Sequence, residues 1–217
     1  MSGSNCRSII RAVVVCCVLA AGALAVPSAN AATIIDEWAS VKAPPPPELK
    51  PVEIDPNTTA LLMLDFMHQN CNDERRPRCV ASLPLMKKLL DEARSNGVMV
   101  VYSIIRNTTT ADIWDDVAPS ADEPWVQASV DKFFGTNLEE ILAEKGIQTV
   151  ITVGTAAQGA VLYTASAAAL RGMQVIVPVD GVSAEDTYFE QYVIYNLSKA
   201  PGVSGKVTLT TVDMIKF

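Results

Sequence analysis

The feature that most constrains this chain is an alternation of short apolar runs with stretches of helical spacing, from Ala60 to the carboxyl end. Ala60-Leu61-Leu62-Met63-Leu64 is a continuous apolar run, the pattern of a strand buried on both faces. Leu85, Leu89, Leu90 and Ala93 then share one helical face within 82–96, and Gly97 follows as a C-cap. The alternation continues with strands over 98–105, 148–153, 173–179 and 206–211 and helices over 137–145, 158–170 and 186–198. Strands separated by helices need crossover connections, which predicts an α/β three-layer sandwich around a mostly parallel sheet with helices on both faces. Ligands in such sheets bind beyond the carboxyl ends of the strands. The positions to weigh are therefore Asp65, Arg106, Gly154-Thr155-Ala156 and Asp180, each following an apolar run.

What precedes Ala60 reads differently. Arg7 and Arg11, an apolar stretch from Ala12 to Val26, and a Pro27-Ser28-Ala29-Asn30-Ala31 ending make up a secretory signal peptide over 1–31, with cleavage expected before Ala32. A membrane anchor fits less well, since a spanning helix wants about 20 apolar residues and Pro27 interrupts the run. Residues 32–58, with Pro44-Pro45-Pro46-Pro47, Pro51 and Pro56, are expected to form an extended arm. It would lie across its own domain or a neighbouring subunit, or serve as a stiff tether. Residues 59–217 are the expected folded domain.

Export changes the meaning of the five cysteines. Cys6, Cys16 and Cys17 belong to the leader, which leaves Cys71 and Cys79 in a polar loop. An even pair in an exported chain is most simply a disulfide. A metal site would lack further ligands, and a reactive thiol is the remaining alternative. The single histidine, His68, excludes a two-His or three-His zinc site. A formal net charge of −7 argues against a nucleic-acid phosphate binder.

Three places can carry chemistry. Asp65 at a strand end, in a partly dry cleft, is able to act as acid or base, or simply to cap a turn. The segment Gly154-Thr155-Ala156-Ala157-Gln158-Gly159-Ala160 joins a strand to a helix with P-loop glycine spacing, yet Ala160-Val161 stands where Lys-Ser/Thr should be. Nucleotide binding is rejected. What remains is a turn whose amides could cradle an anion or oxyanion, or a plain tight turn. Lys132, before Phe133-Phe134-Gly135-Thr136, is either solvated or drawn into a cleft beside a carboxylate.

Together the strand ending in Asp65, the segment Asp131-Lys132-Phe133-Phe134-Gly135-Thr136-Asn137-Leu138, the turn Val153 to Ala165 and the strand end Val177-Pro178-Val179-Asp180 resemble the isochorismatase-like hydrolases, the superfamily that includes the cysteine hydrolases and nicotinamidases. The resemblance covers about Ala60 to Val179. It implies a parallel six-stranded sheet, Asp65 as general acid/base, Lys132 as its charge partner, a cis peptide at Thr155-Ala156, and an oxyanion hole from the amides of Ala156 and Ala160. It also suggests Phe66, His68, Gln69, Phe133 and Thr155 as pocket residues.

The family's nucleophilic cysteine falls at position 160, where this chain has Ala160. That departure closes the usual thioester route. Isochorismatases proper also lack the thiol; there the acid protonates a vinyl ether that water then cleaves. Cys71 could replace the missing nucleophile only if it were not paired with Cys79. The expectation is therefore an exported hydrolase of a small molecule, with no metal or other cofactor, no nucleic-acid partner, no membrane association after cleavage, and a homo-oligomeric state. Two alternatives stay open: a catalytically inactive small-molecule-binding protein of the same fold, and a cysteine hydrolase inactivated at position 160.

Overall fold

The computed structural model describes residues 31–217. The expected signal segment lies outside the described residues up to residue 30. Residues 31–44 form a unit of their own, separate from 45–217. Within it, the Thr33 amide and hydroxyl both donate to Asp36 Oδ2 at 2.8 Å, and a 3-10 turn spans Trp38–Ser40.

The expected arm divides at this boundary. Its second half is stitched into the domain, because the Lys50 amide donates to the Leu209 carbonyl at 2.9 Å. Strand β1 (Val52–Glu53) also pairs in parallel with β9 (Ile215–Lys216) at the carboxyl end. The domain thus begins before residue 59, where proline punctuation hides a two-residue strand.

The main sheet is built from β2 (Thr59–Leu64), β3 (Met99–Ile104), β4 (Trp125–Gln127), β5 (Thr149–Thr155), β6 (Gln174–Pro178) and β8 (Val207–Thr210). They run in the order β4-β3-β2-β5-β6-β8 and every pairing is parallel. A short β7 (Val182–Ser183) pairs with the end of β5, beyond β6. The sheet is thus the expected six-stranded parallel one with an added fragment.

Helices α1 (Pro77–Ser95), α2 (Leu138–Glu144), α3 (Leu162–Leu170) and α4 (Thr187–Lys199) cover it. Each strand sends alternate side chains to opposite faces. Leu62, Leu64, Val150, Val175 and Val177 pack with Ala165, Ala168, Val193 and Leu197 of α3 and α4. Leu61, Met63, Val100, Ile151 and Val153 pack with Leu83, Met86, Leu89 and Leu90 of α1. No helix among the described residues is long and apolar enough to cross a membrane.

Two boundaries differ from the sequence expectation in ways that matter below. Helix α1 starts at Pro77, five residues before the expected start, because Pro77 sits at the first turn, where its missing N–H costs nothing. Pro84, inside the helix, is the proline that obscures the true start. The helix expected from residue 158 opens as a π turn over Ala157–Val161 before α3 begins, and such turns recur at functional sites.

Cys71 and Cys79 are joined by a disulfide, as expected for the pair. It closes a loop whose residues run Asn72 to Arg78 and lead into α1. Closing so short a loop restricts the unfolded chain. Replacing both cysteines by alanine is expected to cost about 2–3 kcal/mol of stability, read as a lowered urea midpoint. An unchanged midpoint would mean that the bridge constrains nothing.

Candidate active site

Strand β2 lies between β3 and β5: the chain steps outward from β2 to β3 and β4, then crosses back to β5 on the other side of β2 and continues outward to β6 and β8. The carboxyl ends of β2 and β5 thus flank a topological switch point, the place where an open α/β sheet forms a crevice. Asp65 follows β2 and adopts a positive φ of 59°, an uncommon conformation for a residue with a side chain. Its amide donates to the Ser103 carbonyl at 3.3 Å, and Ser103 Oγ donates to Asp65 Oδ1 at 2.7 Å. Lys132 Nζ donates to Asp65 Oδ2 at 2.7 Å and to the Ser129 carbonyl at 2.6 Å.

Both members of the pair are buried, with Asp65 3% exposed and Lys132 wholly covered. The lysine backbone is fixed as well: its amide donates to Thr164 Oγ1 on α3, and its carbonyl accepts from Thr136 Oγ1. Burial pushes the Asp65 carboxyl above its ordinary range, against the pull of Lys132, the Lys132 and Ser103 hydrogen bonds, and the charge of Arg76. The result is a carboxyl that holds a proton more readily than a surface aspartate, with a cation beside it.

Across the crevice, the peptide bond between Thr155 and Ala156 is cis. It leads into the π turn, which presents Gly159 and Ala160. A cavity of about 540 Å³ lies between these parts, lined by Asp65, Ala156, Gly159 and Ala160, by Asn70 just before the disulfide loop and Arg75 and Arg76 within it, by Ile105 and Arg106 after β3, and by Gln127 at the end of β4 and Ala128 to Val130 after it. Lys132 stands behind Asp65 rather than on the wall.

The structure therefore brings together Asp65, Lys132, Ala156 and Ala160, and leaves the five expected pocket residues off the cavity wall. Phe66 turns into the core beneath α1, because it follows Asp65 on the opposite side of the chain. His68 is exposed and packs against Trp114 with ring centroids 4.2 Å apart and the ring planes tilted by 51°. Gln69 is exposed and donates to Asp112 at 2.8 Å. Phe133 is buried in the α3 layer under the Arg171 guanidinium, 4.6 Å from its ring centre. Thr155 is buried and donates through Oγ1 to the Ser183 carbonyl at 3.1 Å. Motif neighbours alternate in direction, and adjacency in sequence did not translate into a shared wall.

Asp180, also weighed at a strand end, accepts from the Val212 amide at 3.0 Å and so holds the last loop in place. Cys71 has its sulfur in the disulfide, which removes it as a nucleophile in the oxidised protein. The arginines of the wall were legible only in part. Arg106 was marked by the strand-end rule, whereas Arg75 and Arg76 had one signal, a basic cluster (Arg75, Arg76, Arg78) between two cysteines of an acidic chain.

A buried Asp–Lys pair at the switch point of a parallel α/β/α sandwich, facing a small-residue turn at a helix start, defines the class: a Rossmann-type fold with a cavity at the carboxyl ends of its central strands. The isochorismatase domain model matches residues 59–211, and the chain belongs to the isochorismatase family. A secreted isochorismatase effector, Isc1, of Verticillium dahliae is 32% identical over 117 residues, which cover 49% of this chain and 62% of that protein. An N-carbamoylsarcosine amidase of an Arthrobacter species is 26% identical over 148 residues, covering 55% of this chain and 56% of the relative. The chain thus spans less than two thirds of either. Among solved structures, an isochorismatase family protein of Desulfovibrio vulgaris superposes with a TM-score of 0.65 at 19% identity, over 72% of this chain and 95% of that one.

Proposed function

We propose that this protein hydrolyses a small molecule with water as the nucleophile, using Asp65 as general acid and base. The observation that carries the reading is the buried Asp65–Lys132 pair opening onto a cavity whose far wall is the Ala156–Ala160 turn. With Ala160 in place of a thiol, the reaction that suits the groups present is cleavage of a vinyl ether. Asp65 donates its proton to the terminal alkene carbon, leaving an oxocarbenium ion. Water adds to the cationic carbon and returns a proton to Asp65, and the resulting hemiketal collapses to a ketone and an alcohol. Lys132 orients the carboxyl and balances the carboxylate that forms after the first transfer. The amides of Ala156 and Ala160 receive negative charge that develops on the substrate oxygen during collapse.

Export to an oxidising compartment is part of the same proposal. It is supported by the disulfide and by the secreted relative in Verticillium dahliae. The position of Ala160 favours one other reading, a binding protein that keeps the pocket without turnover.

The test is a screen of vinyl-ether, ester and amide substrates against wild type and Asp65→Asn. The substitution is expected to lower kcat/KM by about 100-fold or more, and equal turnover by the two proteins would overturn the assignment. Because the acid form does the first step and the Asp65 pKa is raised, activity is expected to fall as pH rises through that raised value. No turnover by wild type, with ligand binding retained, would favour the binding protein.

A further inference from the structure

Residues 34–41 hold four large apolar side chains, Ile34, Ile35, Trp38 and Val41, and each is between 58% and 73% exposed. A Trp and two Ile facing water within so short a segment mark a surface that a partner covers. The backbone that carries them is locally set, by the Thr33–Asp36 hydrogen bonds and by the 3-10 turn over Trp38–Ser40. Pro44 to Pro47 follow with no regular secondary structure, and four prolines in a row hold an extended polyproline conformation. The chain then enters the folded domain on one particular side. Leu49 packs against the core layer that holds Val193 and Leu197 of α4, and the Lys50 amide is tied to Leu209 of β8.

On that side α4 presents an aromatic outer surface. Tyr188, Tyr192 and Tyr195 recur at the spacing of one helical face and are exposed, with Phe189 beside Tyr188. Lys199, in the last turn, is the one charge among the exposed positions of α4, whereas α1 exposes Arg78, Lys87, Lys88 and Asp91. A helix face kept for water resembles that of α1. Aromatic surfaces are what polyproline segments dock against, because the extended chain is already ordered and its rings stack on them. We propose that residues 34–47 of a second copy lie on the aromatic face of α4, in a reciprocal exchange that makes a two-fold dimer. Trp38 and Ile35 are the apolar anchors, and Tyr192, in the middle of the face, receives them. The four apolar side chains are exposed in a single copy, which selects a second copy as their acceptor. Because the chain enters its domain on the side that α4 covers, one two-fold axis near that helix serves both exchanges. The inference goes beyond the hydrolase reading and does not depend on it, since α4 contributes nothing to the cavity wall.

The experiment is light scattering on the full chain during size-exclusion chromatography at micromolar concentrations. Wild type is expected to run with twice the mass of one chain. Trp38→Ser and Tyr192→Ser alter exposed residues, so the domain should stay folded. Each is expected to weaken the dimer by about tenfold or more, the scale for truncating an aromatic anchor. The acceptor is read by photo-crosslinking from Trp38→p-benzoylphenylalanine, with isotopically light and heavy copies mixed before irradiation. The expected product joins the arm of one copy to a peptide within residues 187–199 of the other, seen as a mixed-isotope mass. A monomeric wild type, a dimer whose affinity survives both serine substitutions, a link confined to one copy, or a link to a peptide outside α4 would overturn the inference.

Discussion

Replacing Lys132 by methionine is expected to lower folding stability by about 3–5 kcal/mol near neutral pH, the cost of leaving one member of a buried ion pair alone. Methionine fills most of the lysine volume, so the effect isolates the charge. The deficit is expected to depend on pH, and its sign follows from Asp65. That carboxyl has a raised pKa in the folded protein, and Lys132 supplies the largest pull that opposes the rise. Removing the lysine raises the folded value further above the ordinary 3.8. A carboxyl raised on folding contributes stability that is fully present below the unfolded value and is lost as pH rises through the folded one. Urea unfolding of the variant at about pH 5 should therefore show a smaller deficit than at about pH 8. The double variant Asp65→Asn/Lys132→Met, which has no buried charge left to strand, should recover much of the loss. A single variant as stable as wild type at the higher pH would mean that the pair is not desolvated.

The contrast between pair and pocket explains how much could be read without coordinates. The strands β2, β3, β5 and β6 are largely buried and rich in apolar residues, β8 is a half-buried edge strand of alternating Val, Thr and Leu, and each lay within two residues of its expected limits. Strand β4 did not announce itself: it is three residues, Trp125-Val126-Gln127, at a sheet edge after a proline. Strands β1 and β9 are two residues each and exist only because they find one another. Asp65 and Lys132 were legible because each sits inside a motif with its own spacing, although they are far apart in sequence. The cavity wall was not, since it is assembled from the disulfide loop, the ends of β3 and β4, and the turn after β5. No local pattern links these four segments. Phe66 and Phe133 show the cost of reading a wall from motif neighbours, as each follows a site residue and points into a core layer instead.

Gly154→Ala is expected to have the other large effect, a loss of about 4 kcal/mol or more, seen as little soluble folded protein or a collapsed thermal midpoint. Gly154 pairs with Leu64 across the two central strands. Its φ is +142°, a conformation that side chains rarely adopt. An added Cβ would lie 2.7 Å from Leu64 Cβ and overlap the Leu64 carbonyl oxygen. Relief would require separating β2 from β5 where Asp65 leaves one and Ala156 follows the other. Partial relief would therefore displace the acid from the turn that faces it, so any folded fraction should also be slow in turnover and weak in ligand binding. Gly159 provides the control. It lines the cavity, yet a Cβ there would meet only Val130 Cγ1 at an ordinary 3.5 Å. Gly159→Ala should fold with native stability, and a Gly154→Ala protein with the same midpoint would show that the close approach of β2 and β5 is not what fixes the site.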